Sequence, residues 1–399
     1  MKKTILLLIT SMLFGCYAKR EHINKLDGSQ ISKSELTIKI QSLIEVANVA
    51  GISTTIFNNN KTVYQKSFGY ANLETKDTLT AKNVFYSASL SKAVFGYLVA
   101  QLVVDGVIDL DKPLYEYLDK PLPEYEFGNE RKSYKDLAND KRYEKITARM
   151  CLSHTTGFPN WRWMTRESDF FREGKIRFLI DPDTRYYYSG EGIQLLQFVI
   201  EKITNKNLEE LAQEKVFQPL HMDMTSYVWK EKFNNKYCNG HTSNGVVIAK
   251  DRRDRANAAG SMETTTEDYS KFIQHLLEQT EIKSEVTNLL YESNIRITSK
   301  TQFGYQAWQD IDENDSIELS YGLGWGLLKS PFGKGMFKEG HGEGFQHYSI
   351  IFPDKDIGII ILSNSDNAES IFKELLEITI GDTYTPWQWE RYIPYNHRK

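Results

Sequence analysis

Residues 93–104 (AVFGYLVAQLVV) are apolar around the whole circumference of a helix, with Gln101 the one polar position, and they stop at Asp105-Gly106. Twelve residues are too few to cross a bilayer, so such a helix must be covered on every side by the rest of the chain. Its first turn is different, because Ser89, Ser91 and Lys92 lie at or just inside its start. A fold that buries this helix also buries a lysine beside a serine, and a buried amine is costly unless it has partners or work to do.

Sequence on both sides supplies the cover. Residues 35–48 carry Leu36, Ile40, Leu43, Ile44 and Ala47 at helical spacing. Residues 50–57 and 62–70 read as two strands joined at Asn58-Asn59-Asn60, a hairpin. Later text predicts a helix over 266–279, strands over 321–329, 334–338, 346–353 and 357–363, and an amphipathic helix over 367–380. Between 110 and 261 the chain is rich in charge and aromatics, with helical stretches at 192–203 and 207–215 and joints at Gly157-Phe158-Pro159, Pro182 and Pro219. The order predicts an α+β fold. An antiparallel sheet flanked by helices comes from 36–109 and 262–385, a mostly helical lobe is inserted over 110–261, and a tail covers 386–399. The cleft between the lobes is the default place for a site.

A formal net charge of -4 on 399 residues makes no electrostatic case for nucleic-acid binding. Lys2-Lys3 precede an apolar stretch that runs from residue 5 to Gly15, the pattern of an export signal over 1–15 rather than of a membrane span. Leu13-Phe14-Gly15-Cys16 resembles a lipobox, in which Cys16 becomes a lipidated N-terminus and residues 16–35 a polar tether. The domain would then be periplasmic or at the cell surface, touching a membrane through its lipid alone; a plain secreted chain is the alternative. Cys151, between Met150 and Leu152, reads as a buried thiol, although pairing with Cys238 would be open to it in an oxidising compartment. The eight His form no HExxH, and no CxxC occurs, so no zinc pattern is present.

S-x-x-K occurs twice, at Ser89/Lys92 and Ser370/Lys373. The second falls in the C-terminal helix, where both side chains are expected on a solvated face. The first follows the strand-like Val84-Phe85-Tyr86 and opens the apolar helix. Serine at a helix start most often caps it. Lys92, one turn further along the same face, adds a second reading. A desolvated lysine loses its proton more readily and acts as a base toward a serine hydroxyl. From an ordinary value near 10.4, neutrality at pH 7 needs a shift of about 3 units, or about 4 kcal/mol.

The segment FYSASLSK, which holds Ser89 and Lys92, resembles the nucleophile motif of serine β-lactamases and penicillin-binding proteins. Within that superfamily it is similar to the class C β-lactamase-like hydrolases, which include D-alanyl-D-alanine peptidases and esterases. Leu152-Ser153-His154-Thr155-Thr156-Gly157, Ala259-Gly260-Ser261-Met262 with Thr265-Thr266-Glu267-Asp268, Tyr321-Gly322-Leu323-Gly324-Trp325 and Ile361-Leu362-Ser363-Asn364 follow the family's motifs in the family's order. The resemblance spans about residues 41–380 and implies a β-lactamase/transpeptidase-like fold.

It also implies roles. The family's Y-x-N is met in part by Tyr188-Ser189-Gly190, so Tyr188 would shuttle a proton between Ser89 and the leaving group. Gly190 lacks the amide that would contact an acylamino substrate. The family's K-T-G or H-x-G has two placements, Lys338-Glu339-Gly340 and His341-Gly342-Glu343; the first keeps the spacing to Gly344-Phe345 and is preferred. Lys338 would hold a substrate carboxylate or polarise Tyr188, and Glu339 would bring a negative charge where Thr or Ser is usual. The backbone N–H groups of Ser89 and His341 would form the oxyanion hole, with His341 as a wall residue. His154 is expected to be a structural hydrogen-bonding residue. Phe158, Trp161 and Trp163 either line the cleft or pack on the inserted lobe, and Trp387, Trp389 and Tyr395 are expected on the outside.

The implied chemistry is acyl transfer through an acyl-enzyme, without cofactor or metal, on a small-molecule or peptide acyl substrate. The changes at Gly190 and Glu339 rank esters and D-amino-acid-type peptides above β-lactams. A non-catalytic cell-wall binding protein that kept the fold is the reading from another class, and the intact Ser89, Lys92 and Tyr188 stand against it.

Overall fold

Strands from the two ends of the chain meet in one sheet. The computed structural model describes residues 21–127, 133–165, 167, 169–281 and 283–397. The expected signal and the lipobox Cys16 lie outside the described residues. Nine strands run antiparallel, from one edge to the other, as Ile295–Arg296, Ser320–Tyr321, Gly326–Ser330, Gly333–Gly342, Phe345–Phe352, Ile357–Ser363, Gly51–Asn58, Lys61–Asn72 and Asp77–Thr78. The join between the two ends pairs Ile357–Ser363 with Gly51–Asn58, setting Ile359 opposite Ile56 and Ile361 opposite Thr54. Gly51–Asn58 is buried at every position, as a strand must be when helices cover both faces of its sheet.

Helices Lys33–Val46 and Phe372–Thr379 join one core, and helices Leu90–Val104 and Thr266–Glu281 join the other. The first is held by Leu36, Ile40 and Ile44, the spacing that predicted it. Twelve of the fifteen residues of Leu90–Val104 are buried, Lys92 among them. Among the described residues no helix is long and apolar enough to cross a membrane.

Five sequence expectations change. The described part of the expected tether is folded: His22–Asn24 pairs with Gln30–Ser32, Ile23, Leu26 and Ile31 are buried in the core, and the first helix starts at Lys33. The strand foreseen over 321–329 is two, Ser320–Tyr321 and Gly326–Ser330. Between them the chain turns against the Leu90–Val104 helix, where a Cβ on Gly96 would collide with the carbonyl of Leu323. Gly324, at φ +85, lies so close that a Cβ there would stand 2.6 Å from the carbonyl of Lys92. The inserted lobe has α-helices at Ala148–Leu152, Gly190–Thr204 and Leu208–Ala212, but long stretches of it are 3-10 turns and loop. Ser370 is buried and donates to the carbonyl of Asn367, because Ala368–Ile371 is a tight 3-10 turn and the last α-helix begins only at Phe372. Trp389 is wholly buried rather than external. Cys151 and Cys238 are both buried free thiols.

Candidate functional site

Ser89 stands at the start of the buried helix in αR conformation (φ -73, ψ -4), and its side chain makes no capping hydrogen bond there. Its hydroxyl is thus left for other partners. The turn into it holds Ala88 at φ +46, a left-handed conformation that costs an L-residue about 1–2 kcal/mol. Ser91 braces that turn: its hydroxyl donates to the carbonyl of Ala88 and accepts the N–H of Met262 at 3.1 Å. Ser87 N–H donates to the carbonyl of Met262 at 2.9 Å. The Ala-Gly-Ser-Met segment is therefore a support for the Ser89 turn.

Lys92 Nζ lies 3.0 Å from Ser89 Oγ and donates to the carbonyl of Ala259. The side chain is 1% exposed. Burial first, and then the charge of Lys338, hold its pKa well below the ordinary lysine range against the opposing pull of Glu339.

Tyr188 arrives from the inserted segment, just before the Gly190–Thr204 helix, so the site draws side chains from both parts of the fold. Its hydroxyl lies 3.5 Å from Lys338 Nζ, and the nearby Ser89 hydroxyl acts to lower its pKa. Lys92 Nζ is 4.9 Å and Lys338 Nζ 5.3 Å from its ring centroid. His154 packs on the ring at 4.2 Å between centroids, and Phe303 meets it edge-on at 5.2 Å. His154 is wholly buried at φ +59, with Nδ1 accepting the N–H of Ser189 at 3.2 Å and its carbonyl accepting the N–H of Tyr187 at 2.8 Å. This hydrogen-bonding turn fixes the Tyr188 backbone. Burial drives the His154 pKa well below the ordinary histidine value, with Lys92 and Lys338 adding to it. Burial likewise raises the Tyr188 pKa, and Lys338 works against that rise.

Gly190 opens the next helix, which Ser189 caps through the N–H of Gly192 at 2.9 Å. A Cβ on Gly190 would stand 2.7 Å from the carbonyl of Asn160. The loop after Gly157-Phe158-Pro159 therefore fills the room that a larger motif residue would need. Of the aromatics there, Phe158 is buried and stacks on Phe178 at 4.5 Å, Trp161 lies beside Gly190, and Trp163 is partly exposed against Gly174.

Lys338 and Glu339 lie on Gly333–Gly342, and neither side chain reaches water. Lys338 Nζ donates to Glu339 Oε1 at 2.8 Å. Burial disfavours both charges, yet each is held charged: the carboxylate and then the phenol raise the Lys338 pKa, and Lys338 lowers that of Glu339. The negative charge that Glu339 was expected to bring is thus neutralised within the pair. A Cβ on Gly340 would stand 2.9 Å from the carbonyl of Ser87, so the strand runs alongside the Ser89 turn and carries His341 next to it. The His341 side chain is 40% exposed, with Nε2 3.2 Å from Glu369 Oε2. Burial opposes its imidazolium, but the hydrogen bond and charge of Glu369 outweigh that and raise its pKa.

Two contributors escaped the sequence reading. Gln302, buried, donates to Glu339 Oε1 at 2.8 Å. Trp389 lies between Tyr186 and Phe337 and its carbonyl accepts the N–H of Gln302 at 3.0 Å. A Trp-Gln-Trp near the end of the chain was the one visible signal for the latter.

Comparison with known proteins follows the same lines. The chain is 22% identical over 356 residues to penicillin-binding protein 4* of Bacillus subtilis, covering 81% of this chain and 70% of the relative. It is 20% identical over 345 residues to Protein flp of Staphylococcus aureus, covering 84% of this chain and 63% of the relative. An uncharacterised protein of Alkalihalophilus pseudofirmus is 25% identical over 216 residues, which is 54% of each chain. The chain thus spans from about half to 70% of the length of these relatives. In fold it is similar to the octameric penicillin-binding protein homologue from Pyrococcus abyssi, with TM-score 0.67, 20% identity and coverage of 88% of this chain and 78% of that one. It is also similar to D-alanine carboxypeptidase AmpC from Burkholderia cenocepacia, with TM-score 0.63, 18% identity and coverage of 83% and 93%. The beta-lactamase family model matches residues 39–378, a span that holds Ser89, Lys92, Tyr188 and Lys338 together, and the chain belongs to that family.

Proposed function

We propose that this chain is an exported serine hydrolase that forms an acyl-enzyme on Ser89, with Lys92 as the base. The observation that carries this reading is the 3.0 Å approach of a buried amine to Ser89 Oγ. An amine held below the ordinary lysine range is neutral where an exposed lysine is charged, and a neutral amine accepts a proton. Ser89 Oγ bonds to the substrate carbonyl carbon as its proton passes to Lys92. The electron pair displaced onto the carbonyl oxygen is stabilised by the N–H groups of Ser89 and His341. When the tetrahedral species collapses, the leaving group takes a proton from Lys92 by way of the Tyr188 hydroxyl, which burial keeps protonated. Water repeats the sequence on the acyl-enzyme and restores Ser89.

The substrate class follows from the two altered motif positions. Lys338 is turned to Glu339 and Tyr188, so polarising the phenol is favoured over holding a substrate carboxylate. Gly190 offers no side-chain amide. Esters and D-amino-acid-type amides therefore rank above β-lactams. A panel of p-nitrophenyl esters, D-Ala-terminated peptides and nitrocefin on wild type and Ser89→Ala tests this. Turnover and fluorophosphonate labelling should vanish in the variant; labelling that persists would sink the assignment, and a high kcat/KM on nitrocefin would reverse the substrate ranking. Export with a lipid on Cys16 is part of the proposal, and Cys16→Ala should then release the chain from membranes.

A further inference from the structure

Behind Lys338 lies a set of contacts that the acyl-transfer steps leave unused. The amide of Gln302 donates to Glu339 Oε1 at 2.8 Å, the same oxygen that takes the Lys338 ammonium at 2.8 Å. The backbone N–H of Gln302 is held by the carbonyl of Trp389 at 3.0 Å. Trp389 is itself locked, with its indole N–H donating to Ser299 Oγ at 3.2 Å and its ring wholly buried. The C-terminal segment is thus a strap across the 299–303 loop. That loop puts Phe303 against Tyr188 and the Gln302 amide on the carboxylate that shares Lys338 with the phenol.

The sharing is a competition. Lys338 Nζ stands 2.8 Å from Glu339 and 3.5 Å from the Tyr188 hydroxyl. A carboxylate oxygen that already accepts an amide hydrogen bond pulls less strongly on a second donor, so more of the cation's field falls on the phenol. Tyr188 is also faced by Lys92 from the buried helix, by His154 and Tyr186 from the inserted lobe and by Tyr321 from the sheet. Glu390, next to Trp389, faces Glu339.

We propose that Gln302 is a positioning residue: held by the C-terminal strap, it restrains Glu339 and so sets how much of the Lys338 charge acts on Tyr188. The proposal rests on the Ser89 reading for its catalytic consequence, but its test does not need turnover. Tyr188 is titrated in the full chain labelled with 13Cζ-tyrosine, its signal assigned with Tyr188→Phe. Gln302→Met keeps the length of the side chain and removes the donor, so Lys338 should tighten onto Glu339 and the Tyr188 pKa should rise by about half a unit or more. Built on Glu339→Gln, the same change should move it no further, because the effect passes through the carboxylate. Gln302→Asn, too short to reach Glu339, should act as Gln302→Met does and serves if the latter fails to fold. An unmoved Tyr188 in either Gln302 variant, or an equal shift on the Glu339→Gln background, overturns the proposal. Failure of Ser89 to label would overturn the hydrolase reading alone.

Discussion

The backbone N–H of Gly190 donates to two oxygens of one residue, the carbonyl and the side-chain Oδ1 of Asn160, each at 3.1 Å. The missing amide at Gly190 is therefore not an isolated loss, since a neighbouring loop has closed onto the glycine. Restoring the family residue with Gly190→Asn should force that loop outward and cost about 1–3 kcal/mol, as overpacking does. We expect a lower Tm and no gain in nitrocefin hydrolysis. A variant that keeps its Tm and hydrolyses nitrocefin faster would show that Gly190 alone excludes β-lactams.

Lys92→Met separates chemistry from packing. The thioether fills much of the same slot without a buried amine, so the Tm should hold or rise. Ester kcat/KM should fall by about 10²–10⁴, the usual contribution of a positioned base. Retained turnover would move the base to Tyr188.

The same lysine gives stability a pH dependence. Its folded pKa is lowered, chiefly by burial, so the unfolded chain binds more protons than the native one between that lowered value and the ordinary lysine value of about 10.4. Below this window both states are protonated and the penalty is full. As pH rises through it, the native state sheds the proton first and stability increases. Urea unfolding at a series of pH values should show this rise in wild type and a flatter course in Lys92→Met. Equal slopes would mean that Lys92 keeps its proton in the folded chain.

Much of this site was legible in the sequence because its signals are local. Ser89 and Lys92 share one helical turn, and Tyr188 precedes the Ser189 cap of the next helix. The sheet was legible because its long central strands show unbroken or alternating apolar text. Gln302, Asn160 and Trp389 were not legible for the opposite reason. Each acts through a contact made by loop backbone or tail, where no periodicity betrays the neighbour. Glu339 was read as a negative charge because sequence shows the carboxylate but not the Lys338 ammonium and the Gln302 amide that both donate to its Oε1.

His341 supplies the last prediction, because its backbone is placed at the proposed oxyanion hole while its imidazole pairs with Glu369 at 3.2 Å. The raised pKa means that the pair contributes stability below the ordinary histidine value of about 6.5 and loses it as pH rises through the folded value. With the side chains 40% and 22% exposed, solvent screening limits that contribution to about 0–1 kcal/mol. Glu369→Gln removes the charge and should lower the His341 pKa in an NMR titration. If His341 is a wall residue, the acid limb of ester kcat/KM stays where it was, because Lys92 sets that limb. A limb that follows His341 downward would instead make the imidazole part of the proton path, and the second motif placement, His341-Gly342-Glu343, would return as the better one.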